Sequence, residues 1–239
     1  MSKVIIIGGG AAGYFTAINA KEKNPNLEIT ILEKGKDVLQ KVKISGGGRC
    51  NVTHACFDPK ALTQFYPRGT KELLGPFHQF MTGDTFEWFE NRGVPLKIEA
   101  DNRVFPEANT SQAIIECFQK AVNKLSIKVL TNHGVTSYYQ QENQWVINTK
   151  TEQFLADKLV IAAGSSKKIW DLAQELGHTI IPTVPSLFTF NIKDKRLLDL
   201  GGVAVPNAYV KLAGTPLENN GPLLITHWGL SGPAILKLS

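Results

Sequence analysis

The sequence predicts an α/β fold with a parallel sheet of the dinucleotide-binding type, a β-meander and a second, β-rich region. Residues 4–7 form a short β-branched run without a polar member, as in a central parallel strand that is covered on both faces. A glycine turn, an apolar helix and a second strand follow, which together match a β-α-β unit of about 30 residues. Short alternating strands then occupy residues 127–161, and residues 187–224 are again strand-like.

The elements follow in order along the chain. The first helix opens at Ala12 and cannot continue through Pro25, and the second strand covers residues 27–32. Two later helices are predicted at residues 84–91 and 111–125, the second from an i, i+3, i+4 apolar stripe that includes Cys117. The aromatic residues of the first of these helices are interpreted as core. We predict the meander from the strands at residues 128–130, 135–139, 145–148 and 154–155, closed by a buried strand at 159–161.

A glycine turn, residues 8–13, carries the strongest functional signal. Its Gly-x-Gly-x-x-Gly spacing assigns a tight turn to Gly8, close approach of a pyrophosphate to Gly10, and helix–strand packing to Gly13. The turn follows an apolar strand and opens a helix, whose N-terminus attracts anions. The sequence therefore predicts a dinucleotide phosphate site here, formed with Ala11 and Ala12.

Glu33 stands at the end of the second strand, twenty residues after Gly13. A carboxylate at this place accepts hydrogen bonds from the ribose hydroxyls of an adenosine, and it repels a 2′-phosphate. The alternative is an incidental surface glutamate. The context of strand, turn and helix favours the ribose role.

A second glycine-rich segment, residues 45–51, has the sequence SGGGRCN. Successive backbone N–H groups in such a loop form a concave anion site, and Arg49 adds positive charge beside a phosphate. The alternative is a surface loop without a ligand. We predict a second cofactor contact here, formed by Ser45, Gly46, Gly47, Gly48, Arg49, Cys50 and Asn51.

Cys50 invites comparison with the cysteine pair of disulfide-using flavoenzymes, in which four residues separate the two thiols. The partner available here is Cys56, with five residues between, and no helical pattern joins them. We therefore favour a packed or cofactor-lining thiol over a redox-active pair.

Residues 159–164 run from a buried strand into a small-residue turn, as required where backbone passes close to a cofactor. Ala163 and Gly164 are the predicted contacts. The order of glycine turn, acidic strand end, meander and Ala-x-Gly turn is more than a simple nicotinamide dehydrogenase needs. It favours FAD over NAD as the cofactor.

The composition of the chain limits the partners, compartments and metal sites that can be expected. The 239 residues include 43% hydrophobic and 20% charged ones, and the net charge of +5 comes without a basic run, so no nucleic-acid partner is expected. No apolar run approaches the roughly 20 residues that span a membrane. Three cysteines without a leader favour a reducing compartment, the cytoplasm. The five histidines lack zinc-site spacing, so no metal is predicted, and no catalytic acid or base is identified.

With these residues, the chain resembles the BaiN-like family of NAD(P)/FAD-dependent oxidoreductases, which includes aminoacetone oxidase-like proteins. The matching stretches are residues 4–13, 41–53, 103–106, 159–164 and 221–239. The resemblance implies an FAD-binding two-dinucleotide-binding (Rossmann-like) domain at residues 1–184 and the start of an inserted β-rich domain at 185–239. Lys34, Lys41 and Val135 complete the predicted cofactor contacts.

The resemblance implies an FAD-dependent oxidoreductase that acts on a small organic substrate, with NAD(P)H as a candidate electron donor. Two alternatives remain open: a non-catalytic flavin- or nucleotide-binding module, and a flavoprotein that modifies RNA. Because the sequence ends at Ser239 within a helix start, we expect the last flavin-contacting stretch of the family to be absent. We also expect residues 1–239 to bind FAD more weakly than a longer parent.

Overall fold

The computed structural model describes residues 1–66, 69–185 and 187–239. The chain divides into two compact units, Met1–Thr179 and Ile180–Ser239. The domain assignment to residues 1–184 and 185–239 stays a prediction. No helix within the described ranges is long and apolar enough to cross a membrane.

The first unit contains seven helices and ten strands in its described part. The helices are α1 (Ala11–Lys23), α2 (Gln40–Gly48), α3 (Pro59–Thr63), α4 (Thr70–Phe77), α5 (Thr82–Glu90), α6 (Ser111–Lys124) and α7 (Lys167–Glu175). The strands are β1 (Lys3–Ile7), β2 (Glu28–Leu32), β3 (Thr53–His54), β4 (Leu96–Ile98), β5 (Arg103–Pro106), β6 (Lys128–Leu130), β7 (Val135–Gln141), β8 (Gln144–Thr149), β9 (Gln153–Ala156) and β10 (Lys158–Ile161).

A four-stranded parallel sheet in the order β10-β1-β2-β6 forms the centre of this unit. Every residue of β1 after Lys3 is buried, which confirms the prediction of a central strand covered on both faces. In a parallel sheet the carboxyl ends of neighbouring strands meet at one edge. The glycine turn after β1, Glu33 after β2 and Ala163 after β10 therefore share that edge.

The predicted meander is wrong in two strands. Its closing strand, residues 159–161, belongs to β10, which pairs in parallel with β1 in the central sheet and is half-buried to exposed rather than buried. Residues 128–130 form β6, which pairs in parallel with β2 through Ile31 opposite Val129, and so belongs to the central sheet. The meander itself is the antiparallel sheet β7-β8-β9. A three-residue strand is too short for its apolar spacing to distinguish the two sheets.

The predicted helices form close to their expected bounds. α5 begins two residues before the predicted start, because the Asp84 carboxylate accepts a hydrogen bond from the Met81 N–H at 2.8 Å and closes the first turn. α6 is capped by the Thr110 hydroxyl, which accepts from the Gln112 N–H. Cys117, predicted to be core, is buried on α6.

The second unit is β-rich. Its strands, β11 (Phe190–Asn191), β12 (Ala204–Lys211), β13 (Glu218–Thr226) and β14 (Gly229–Ser231), form an antiparallel sheet in the order β11-β14-β13-β12. Helix α8 (Pro233–Leu238) packs on this sheet and buries Ala234 and Ile235. The predicted combination of a parallel α/β region and a β-rich region is confirmed.

Candidate functional site

The glycine turn is tightly built at both ends. Gly8 has a φ of +116°, and a Cβ at this position would collide with the Ala162 carbonyl oxygen. A Cβ on Gly13 would collide with the Gly8 carbonyl oxygen, so close packing of α1 on the strand requires glycine there. These two positions have the structural tasks that the sequence predicts.

Gly10 is different, because packing within the protein does not explain it. No atom of the described residues lies within 4 Å of a Cβ built on Gly10, whose φ of −91° suits any residue. Gly10 is the N-cap of α1, and no side chain caps the helix or places a carboxylate in its first turn. Ala11 and Ala12 are exposed. The open backbone and the positive helix end fit an anion such as a pyrophosphate.

Glu33 lies beside this turn and joins two backbone segments. Its Oε2 accepts a hydrogen bond from the Gly9 N–H at 2.8 Å, and its Oε1 accepts from the Gly35 N–H at 2.8 Å. A carboxylate has about four acceptor sites, so each oxygen retains capacity for a ligand hydroxyl. Glu33 therefore orders the turn and still fits the predicted ribose contact.

A cavity of about 180 Å³, here called the first cavity, opens at the same sheet edge. Five of the predicted cofactor contacts line this cavity. Its lining consists of Ile7, Gly8, Leu32, Glu33, Lys34, His133, Gly134, Val135, Ala163, Ser166, Lys168 and Ile169. Sequence reasoning placed Lys34, Val135 and Ala163 here but missed His133 and Lys168.

His133 is held by acceptors on both sides of its ring. Nδ1 lies 2.6 Å from the Thr131 carbonyl oxygen and Nε2 lies 2.8 Å from a Glu152 carboxylate oxygen. These hydrogen bonds raise the pKa of His133, with the Thr131 carbonyl as the larger cause. The backbone N–H of His133 also donates to the Glu33 carbonyl at 2.8 Å, which connects this segment to Glu33.

Lys41 connects α2 to the loop that follows β10. Its ammonium donates a hydrogen bond to the Ser165 hydroxyl at 2.9 Å and would lie 3.5 Å from a Cβ on Gly164. Gly164 has a φ of +58° and is exposed. The structure thus brings together Lys41 and Gly164, two predicted contacts that are distant in sequence.

Residues 45–51, here called the glycine loop, interrupt the end of α2. Gly46, Gly47 and Gly48 all have positive φ, between +55° and +85°, and Cys50 has a φ of +62°. The N–H groups of Arg49 and Cys50 turn back onto the Gly46 and Ser45 carbonyls at 3.4 and 2.9 Å. These two groups therefore close the loop, whereas a Cβ on Gly47 or Gly48 would meet no described atom within 4 Å.

Arg49 contacts a partner that the sequence did not reveal. Its Nη1 lies 2.6 Å from a carboxylate oxygen of Glu99, and its guanidinium lies 3.9 Å from the centre of the Phe105 ring. Glu99 follows β4, fifty residues along the chain. No local motif signals such a pairing.

A second cavity, of about 500 Å³, lies between helices α1, α2, α5 and α6. Six of its lining residues belong to the predicted set: Ala11, Ala12, Lys41, Ser45, Cys50 and Asn51. Much of the rest is apolar or aromatic, including Phe15, Phe80, Phe89 and Phe118. The glycine turn therefore lies between a small cavity beside Glu33 and a larger apolar cavity beside the glycine loop.

A larger cavity, of about 760 Å³, lies away from the predicted residues, at the C-terminal ends of α1, α5 and α6. Two of its cations have partners within the protein: Arg92 binds Glu22, and Lys21 donates to the carbonyls of Pro25 and Leu27. Basic side chains at helix C-termini also complement the helix dipoles. Size alone does not make this cavity the functional site.

The three cysteines are free thiols, and Cys50 is buried. Burial raises the pKa of the Cys50 thiol, with an opposing hydrogen bond from Ser45. This supports a packed or cofactor-lining thiol. Within the described residues, no group of three or more His, Cys, Asp or Glu side chains is arranged to hold a metal ion.

Comparisons with known proteins bear on this site. Residues 2–214 match the family described as "HI0933-like protein Rossmann domain". The 3-dehydro-bile acid delta(4,6)-reductase of Clostridium scindens is 27% identical over 100% of this chain and 60% of that protein. The ribosomal RNA dihydrouridine synthase of Escherichia coli is 30% identical over 98% of this chain and 60% of that protein.

The chain thus spans about 60% of the length of these curated relatives. Among solved structures, Thermovibrio ammonificans THI4 resembles the chain with a TM-score of 0.49 and 13% identity, over 73% of this chain and 62% of that one.

Proposed function

We propose a function for this chain from its family, because it belongs to the HI0933-like family of Rossmann-domain proteins. This membership agrees with the resemblance to BaiN-like oxidoreductases. The chain is the cofactor-binding part of an FAD-dependent oxidoreductase that acts on a small organic substrate. When bound, FAD supplies the transfer of a hydride or an electron pair, and the protein supplies binding and orientation.

Different residues bind different parts of the cofactor. The N-terminus of α1, with Gly10, Ala11 and Ala12, holds the pyrophosphate, and Lys41 adds positive charge nearby. Glu33 accepts from the ribose, and the first cavity takes the adenosine end. The second cavity, which is apolar and lies beside the glycine loop, takes the ring end.

The observation that carries this proposal is the open backbone at Gly10 beside Glu33. Gly10→Val fills the space that the pyrophosphate needs, so we expect the Kd for FAD to rise by at least about tenfold. We expect the cost to folding to be small, about 1 kcal/mol, because a Cβ at this position meets no described atom within 4 Å and the main loss is that of the N-cap preference. The measurements are FAD titration by fluorescence and urea unfolding without FAD.

Gly83→Ala is the matched control, since a Cβ there also meets no described atom within 4 Å and the residue lies in α5, outside the predicted contacts. Its Kd for FAD should equal that of the wild type. An unchanged Kd in Gly10→Val would refute the pyrophosphate site. A wild-type protein without measurable FAD affinity would refute the proposed function as a whole.

A second candidate, a flavoprotein that modifies RNA, is favoured by the name of the Escherichia coli relative. The two functions differ in the molecule that the flavin reduces, which is a small organic compound in the first and a uridine of RNA in the second. FAD-loaded protein given NADPH and a ribosomal RNA transcript would add two hydrogens to uridine, which mass spectrometry of the nucleosides detects. Flavin that NADH or NADPH does not bleach under anaerobic conditions would instead favour a non-catalytic binding module.

A further inference from the structure

We propose that Arg49 and Glu99 form a positioning ion pair that fixes the glycine loop beside the ring-end cavity, and that Arg49 is not a ligand of the cofactor phosphates. The proposal rests on the proposed function, because it concerns FAD affinity. It replaces the role that the sequence alone suggested for Arg49, which was to add charge beside a phosphate.

Arg49 is held on two sides. The distance from Nη1 to Glu99 Oε1 is 2.6 Å, and that from Nη2 to Oε2 is 3.5 Å, so the guanidinium faces the carboxylate with both terminal nitrogens. The two side chains are only 33% and 26% exposed. The guanidinium also stacks on Phe105, which is fully buried in β5. Paired and stacked contacts of this kind fix an arginine in one orientation.

The charge of Arg49 is neutralised where it lies. Glu99 also contacts Arg103 at 3.5 Å, and Arg103 lies 2.7 Å from Asp101. The cluster therefore contains two arginines and two carboxylates, without net charge. A cluster of this kind offers a phosphate little attraction, whereas the N-terminus of α1 has no carboxylate in its first turn.

The pair acts on the loop through close packing. A Cβ on Gly46 would lie 2.6 Å from the Asn51 nitrogen and 2.9 Å from the Phe105 ring, so the loop already touches the surface on which Arg49 stacks. The Val52 N–H continues this contact by donating to the Val104 carbonyl at 2.8 Å. Ser45, Cys50 and Asn51 of the same loop line the second cavity. Releasing Arg49 therefore loosens one wall of that cavity.

A double-mutant cycle with Arg49→Gln, Glu99→Gln and the double variant tests the proposal. For a positioning pair, each single change raises the Kd for FAD by about three- to tenfold, and the double change raises it no further. The dependence of the Kd on salt concentration stays that of the wild type, because no phosphate contact is lost. The flavin absorption spectrum of each variant reports the surroundings of the ring.

Arg103→Gln is the control, since it removes the longer contact to Glu99 and leaves the pair with Arg49 in place. Its Kd should stay within about twofold of the wild type. Arg49→Lys keeps the positive charge but loses the paired contact with Glu99 and the stacking on Phe105, so it should behave like Arg49→Gln. This variant also keeps the test decisive if Arg49→Gln fails to fold.

A direct phosphate ligand gives the opposite pattern. Glu99→Gln would then leave the Kd unchanged or lower it, Arg49→Lys would retain most of the affinity, and Arg49→Gln would weaken the salt dependence. That pattern overturns the proposal while the proposed function stands. If the wild-type protein does not bind FAD, the proposed function itself is refuted. Failure of the ion-pair proposal and failure of the proposed function are therefore distinguishable.

Discussion

At the scale of single residues, Glu33 has a structural task beside the ribose contact that the sequence predicts for it. Its position after β2 predicted a ribose contact, but the hydrogen bonds from the Gly9 and Gly35 N–H groups give it a structural task as well. Loss of such acceptors leaves backbone donors unpaired, at about 1–3 kcal/mol each when they are buried. Gly10 is therefore the sharper test of the site, because its substitution leaves those bonds in place.

His133 provides a prediction on pH. The Thr131 carbonyl and Glu152 raise its pKa in the folded protein, while partial burial and Lys128 act against them. A raised pKa stabilises the fold below the unfolded value of about 6.5 and loses this effect as the pH rises through the folded value. His133→Gln should therefore reduce the free energy of unfolding more at about pH 6 than at about pH 9.

Urea unfolding across this pH range measures the effect, with the exposed His78→Gln as the control. A His133→Gln variant whose loss of stability is the same at both ends of the range would contradict the assigned hydrogen bonds. Glu152→Gln should reproduce only part of this pH dependence, since it removes the carboxylate that faces Nε2 but leaves the Thr131 carbonyl, the larger cause of the raised pKa of His133.

Prediction from sequence reached some of these residues and not others. Gly8, Gly13 and Glu33 occupy places fixed by a local strand–turn–helix pattern, so their spacing within that pattern singled them out. Glu99 and His133 act through partners 50 and 19 residues away. A single charged side chain in a loop has no periodicity, and only the packed structure shows what it faces.

At the scale of elements, the junction of β1 and α1 sets the position of the whole site. Gly13→Ala would drive a Cβ into the Gly8 carbonyl oxygen, and this backbone atom cannot move without displacing the helix from the strand. We expect a loss of stability of about 1–3 kcal/mol, as for an overpacked core position. Urea unfolding without FAD measures it, and a loss similar to that of Gly83→Ala would contradict the tight junction.

The long, strongly periodic elements were predictable, and the short ones were less so. α6 and β1 have the apolar spacing of their type and formed as expected. β6 was assigned to the wrong sheet, because the burial of three residues depends on which neighbour they pair with. The bend in α2 at Ser45 follows from three glycines whose positive φ values the sequence permitted but did not specify.

At the scale of the whole molecule, composition and motif order predicted the parallel α/β region and the β-rich region. The family match agrees with the first, and the antiparallel sheet β11-β14-β13-β12 confirms the second. The predicted cofactor contacts all fall in one of the two units. Each predicted cofactor contact, from Gly8 to Gly164, lies within Met1–Thr179. Binding of FAD should therefore stabilise this unit directly.

Hydrogen exchange followed by mass spectrometry tests whether FAD binds within the first unit. A ligand that binds only the folded state stabilises it by about 2.7 kcal/mol at a free concentration one hundred times its Kd. Amides of β1, β2 and α1 that exchange through unfolding of the first unit should then exchange up to about 100-fold more slowly. Gly10→Val, at the same FAD concentration, should lose most of this protection. Gly10→Val removes the proposed pyrophosphate site at the N-terminus of α1. Protection that persists unchanged in this variant would therefore contradict that site. Protection that appears only in Ile180–Ser239 would place the cofactor in the other unit.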